Sequence, residues 1–170
     1  MKKLLASAAA SAMFALFALP VFADSASAPQ CGPPTPGQTY TCTMHVSDLT
    51  MGPLPVTPIT CPDGSTVPGG FLTTTVQNGV LHITINKAGD LWDTGTFEGS
   101  FTFVADTGTV YTGHFAEWFG DSINNKNMVS HATLNFVGSS TSGAQINLHL
   151  EFHVSVSASG QVEMFFKTHC

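Results

Sequence analysis

The sequence contains no arginine, and two of its five lysines stand at positions 2 and 3. Those two lysines head an export signal. Lys2-Lys3 is a short basic start, Leu4 to Leu19 is almost wholly apolar, and Pro20 ends any helix there. Val21-Phe22-Ala23 then supplies small residues where a signal peptidase cuts, so cleavage is expected after Ala23. Three lysines then face all 11 acids of the chain. So few cations cannot neutralise a run of phosphates, which excludes nucleic acid and disfavours anionic membrane surfaces. Basic proteins and cations remain as partners.

Other absences narrow the field further. No second apolar run approaches the ~20 residues of a spanning helix, so no membrane insertion is expected. No stretch of ten residues carries apolar positions at helical spacing. There is no CxxC pair, no Gly-x-Ser-x-Gly, no phosphate-binding loop and no His-Glu-x-x-His. Zinc ribbons, α/β-hydrolases, P-loop proteins and zincins are thereby excluded by motif.

Four cysteines are present: Cys31, Cys42, Cys61 and Cys170. An even count behind an export signal reads as two disulfides in an extracytoplasmic compartment, periplasm or medium. Three pairings are open. In each of them Cys170, if oxidised, ties the C-terminus to the segment between 31 and 61.

The chain divides by composition. Residues 1–23 are the signal peptide. Residues 24–70 hold nine of the ten prolines and read as loops pinned by disulfides, with one strand at 38–46. Residues 71–170 alternate apolar and polar positions between Gly, Asn, Asp and Ser, and form one domain with 24–70. Strands are expected near 71–77, 80–86, 94–105, 109–119, 128–138, 144–157 and 161–168.

Three turns set registers. Asn78-Gly79 is a two-residue hairpin signal that would pair Val76 with Leu81 and Thr74 with Ile83. Asp106-Thr107-Gly108 pairs Phe103 with Tyr111. Ala158-Ser159-Gly160 pairs Val156 with Val162 and Val154 with Met164. One face then carries Leu81, Ile83, Phe97, Phe101, Phe103, Tyr111, Phe115, Phe136, Leu148, Val154, Met164 and Phe166, among others. Consecutive antiparallel strands with one apolar face predict an all-β up-and-down meander closing into a small barrel, with a two-sheet sandwich as the alternative.

Chemistry is sought on the polar face. His149, Glu151 and His153 alternate along one strand and point the same way. The two histidines stand about 13 Å apart at 3.3 Å per residue, too far to share an ion. Setting Phe136 opposite Ile146 brings His131 to Glu151 and leaves His114 and His149 nearby. His114, His131, His149 and Glu151 are therefore the metal candidates, for zinc or iron. The plainer reading is a polar surface on which Lys167 pairs with Glu151 across strands. Glu98, Glu117 and Asp121 are the acids that a glycosidase could use. Trp118 falls on the outer face beside His114, a platform for a sugar or a partner.

These observations favour a non-catalytic binding module for a protein, a glycan or a small apolar ligand. An inhibitor of a basic enzyme is one form of it. The alternatives are a metal-dependent enzyme at the His/Glu site and a structural subunit of a surface assembly.

Overall fold

The structure is a computed structural model, and it describes residues 31, 32, 35 and 37–170. The export signal and its cleavage point lie outside the described residues. Among the described residues ten strands occur, and no helix is long and apolar enough to cross a membrane. They are β1 (Tyr40–Val46), β2 (Leu49–Val56), β3 (Ile59–Thr60), β4 (Thr66–Val67), β5 (Gly70–Ile85), β6 (Leu91–Ala105), β7 (Val110–Ile123), β8 (Met128–Ser140), β9 (Gln145–Val156) and β10 (Val162–His169). The protein is all-β and antiparallel, as its alternation predicts.

From β5 to β10 each strand pairs with the next, and β1 and β2 lie end to end along the far side of β5. The upper end of this sheet carries Ile85, Leu91, Ile123, Met128, Val156 and Val162. The lower end carries Gly70, Ala105, Val110, Ser140, Gln145 and His169. Turn chemistry fixes the registers. Gly108, Gly143 and Gly160 adopt positive φ (84°, 86° and 76°) at the third position of three-residue turns. Only glycine takes this conformation without strain, and the bulge-type turn requires it. The expected pairs Phe103–Tyr111, Val156–Val162 and Val154–Met164 all form.

Asn78-Gly79 is not a turn. Residues 70–85 run as one strand of 16 residues, and the register slips between Val76 and Asn78, so Gln77 is the extra residue of a bulge. Val76 faces Gly99 on β6 rather than Leu81. A side chain at Gly99 would put its Cβ 1.9 Å from the carbonyl oxygen of Thr75. The backbones at the bulge therefore approach closely because position 99 is glycine. β2 also departs from expectation, since its prolines argue against a strand. It tolerates Pro53 and Pro55 because it lies at an edge, with a register shift between Met51 and Leu54.

The core is built from alternate residues of one face. Val76, Phe101, Phe103, Ala105, Tyr111, Phe115, Phe136, Ile146 and Leu148 form its buried cluster, and Val46, Leu49, Met51, Ile59 and Val67 pack against it. Cys61, which follows β2 at one edge of the sheet, bonds Cys170 beyond β10 at the other, so the sheet curls and this face is concave. Aromatic pairs lock it: Phe101 meets Phe136 edge-on at 5.5 Å, and Phe115 stacks on Phe136 at 6.2 Å. Each such pair contributes about 1 kcal/mol beyond the area it buries.

The expected barrel does not close. Among the described residues β10 pairs with β9 alone, and no strand bonds to its other side. The edges are joined covalently instead. The β3–β4 hairpin folds across the lower end, and its buried Cys61 bonds Cys170 just beyond β10. Cys31 bonds Cys42 on β1. The two disulfides fit an oxidising, extracytoplasmic environment, and no free cysteine occurs among the described residues. Open edges explain a second departure. Val162, Met164 and Phe166 occupy the concave face as expected but are exposed, because no strand covers β10.

Candidate functional site

The polar convex face carries all seven histidines of the chain. Its register differs from expectation by two residues at one hairpin. Gly143 takes the turn position, so Phe136 faces Leu148, Glu151 faces Thr133, and His131 faces His153. His114 lies opposite Val137, away from the others, beside Glu98, Gln77 and Asn78 at the bulge. His149 bonds Asn135 through Nδ1 and stands 3.3 Å from Glu151 through Nε2. Lys167 lies 3.8 Å from Glu151, which is the cross-strand charge pair that the C-terminal hairpin sets up. The ring of His169 is 5.7 Å from that of His149. Among the described residues no group of three or more His, Cys, Asp or Glu could hold a metal ion. Trp118 is 44% exposed between Thr96 and Thr133, uncovered by the N-terminal segment described.

The upper half of the concave face carries a different constellation. Asp93 of β6 lies directly opposite Asp121 of β7, and both side chains alternate with core residues of their strands. The Oδ1 atoms of both are buried and have no hydrogen-bond partner among the described residues. Burial first, and the Asp121 carboxylate beside it second, push the Asp93 carboxyl up to about 6. Glu117, on the same face of β7, lies opposite Phe97 and Leu134, and burial alone pushes its carboxyl up to about 7.

The apolar surroundings of this acid set come from the same alternation. The Phe119 ring stands between Glu117 and Asp121 on β7, covers Gly95 and lies 5.3 Å from the Phe97 ring. A Cβ at Gly95 would fall 2.3 Å from Phe119 Cζ, so the ring occupies the space that the glycine leaves. The lysines lie elsewhere. Lys87 and Lys126 sit in turns and Lys167 on the convex face, so no Lys or His of the described residues shares the concave face with the three acids.

Sequence reasoning named Glu117 and Asp121, with Glu98, as acids that a glycosidase could use, and left out Asp93. The register of β6 against β7 was the missing link. Counting back from Phe103–Tyr111 in steps of two arrives at Asp93–Asp121.

No protein-family model matches the sequence, and no curated protein or solved structure matches it either. What the fold and the site define is therefore a class: a disulfide-bonded, open, curled antiparallel sheet with acids on its concave face.

Proposed function

We propose that the chain is an exported, non-catalytic binding module, and that the upper half of its concave face receives a basic group of a partner protein. The observation that carries this reading is the set Asp93, Asp121 and Glu117 on one face with no cation of the described residues beside them. Carboxyls held partly from water with raised pKa values, as those of Asp93 and Glu117 are, gain most from an incoming ammonium or guanidinium. Phe119 and the exposed Ile123 offer apolar contact to the rest of such a side chain. The formal charge of −6 supports attraction of a basic partner at long range. Inhibition of a basic enzyme would be one use of this surface, in the periplasm or the medium.

Titration calorimetry against a basic lysozyme and against an acidic protein of similar size tests it. The expected result is binding of the basic protein only, weakened by salt and lost in Asp93→Asn/Asp121→Asn. Because the carboxyls must ionise to meet a cation, affinity should rise between pH 5 and pH 8. Binding that ignores pH and the double variant would place the site elsewhere.

A second reading has one observation in its favour. A carboxyl raised to about 7 is also what acid–base catalysis uses, with Glu117 as the acid. Turnover of a chromogenic glycoside that disappears in Glu117→Gln would favour it over the binding module.

A further inference from the structure

Among the described residues the sheet has two free edges, and they are built differently. The edge formed by β1 and β2 breaks at Ser47-Asp48, where Asp48 takes φ 59°. It then shifts register between Met51 and Leu54, and Pro53 and Pro55 offer no N–H. Interruption, bulge and proline are the usual protections of an exposed edge. β10 has none of them. Its register against β9 runs unbroken from Val162 to His169, and it contains no proline. Val162 is 56% exposed, Met164 54%, Phe165 53% and Phe166 44%. A regular strand that is unpaired on one side, exposes Val162, Met164 and Phe166 on its concave face and carries Phe165 among charged residues on the other is a place where another strand adds.

The register says which backbone groups are free. The N–H of Ser157 donates to the carbonyl of Gln161 at the turn, so hydrogen-bonded pairs then recur at every second residue. Glu163, Phe165 and Lys167 spend their backbone groups on β9, and those of Val162, Met164, Phe166 and Thr168 point outward. A second strand must therefore set its own outward-pointing residues opposite these four.

The strand is complementary to itself under that constraint. We infer that β10 joins to β10 of a second copy of this chain, antiparallel, with Phe165 facing the partner's Phe165 across a twofold axis. This register pairs Met164 with the partner's Phe166 and Val162 with the partner's Thr168, all of them outward-bonding positions. It also sets Glu163 against the partner's Lys167, twice by symmetry, at the positions where cross-strand side chains come closest. Sliding by one allowed step in either direction places Glu163 or Lys167 opposite Phe165 and breaks the charge match. The backbone and the side chains thus select the same register independently. Antiparallel addition of identical edges is self-complementary and closes at two copies. The product is one continuous sheet with both concave faces on the same side, so a dimer would present two acid sites together.

The test is sedimentation equilibrium of the oxidised chain across a wide concentration range, with charge reversals. Wild type should dimerise. Glu163→Lys and Lys167→Glu should each raise the dimer dissociation constant by roughly tenfold or more, because each creates two like-charge pairs. The double reversal, Glu163→Lys/Lys167→Glu, should restore dimerisation close to wild type. That restoration separates the interface from the contact of Lys167 with Glu151, which the double variant also loses. Met164→Pro removes an outward N–H without touching the β9 ladder, and it should give a folded monomer. A chain that stays monomeric at every concentration would overturn the inference. So would a dimer indifferent to Met164→Pro and to both single reversals.

Discussion

Glu117 and Asp93 show how strongly a single face assignment can act. Each is an acid on an alternating strand whose neighbours two residues away are core, so the period of the strand turns each inward. Burial then raises both carboxyls, to about 7 and about 6. An acid whose folded pKa lies above its unfolded value binds its proton more tightly when folded. Its contribution is fully present below the unfolded pKa and is lost as pH rises through the folded one. Stability should therefore fall between about pH 4 and pH 7, the opposite of ordinary acid denaturation. Glu117→Gln removes the ionising group, and it should stabilise the fold at pH 8 by about 2–3 kcal/mol while changing little at pH 4. Thermal melts of both proteins across this range check it; a wild-type melting temperature that climbs steadily from pH 4 to pH 8 would contradict the burial of these acids.

At the scale of elements, turns decide what pattern alone leaves open. Alternation specifies the faces of the strands, and Asp106-Thr107-Gly108 and Ala158-Ser159-Gly160 specify their registers, because a three-residue turn needs glycine at one position. Where two glycine signals compete, pattern is not enough. Asn78-Gly79 has the chemistry of a hairpin turn but becomes part of a bulge, since β6 offers a partner along the whole of residues 70–85. Thr141-Ser142-Gly143 does turn, and overlooking it displaced Glu151 from Thr133 to His131 in the expected register. A slip of two residues preserves every face, which is why the core was legible and the convex neighbours were not. Gly143 takes φ 86° in open space, with nothing within 4 Å of an added Cβ. Gly143→Ala should thus cost only the backbone strain, about 1 kcal/mol, and leave the register intact. Denaturant melts measure the cost, and cross-strand NOEs between Phe136 and Leu148 report the register.

For the molecule as a whole, the question is what holds a curled sheet in shape when its edges do not hydrogen-bond. Contacts along the chain are almost all between neighbouring strands, so the link from the β3–β4 hairpin to the end of β10 is the long-range constraint. Cys61–Cys170 spans 109 residues, whereas Cys31–Cys42 spans 11. In the chain-entropy account the first should contribute about 4–5 kcal/mol and the second about 3 kcal/mol. Position adds to length, because Cys61 is buried against the lower end of the core that the hairpin covers. Replacing Cys61 and Cys170 by serine should therefore lower stability by about 2 kcal/mol more than replacing Cys31 and Cys42. It should also free the hairpin, so that amides of residues 59–67 lose hydrogen-exchange protection before those of β6 and β7 do. Equal losses in the two double variants, with the hairpin still protected, would mean that packing of Ile59 and Val67 closes the lower end without the disulfide.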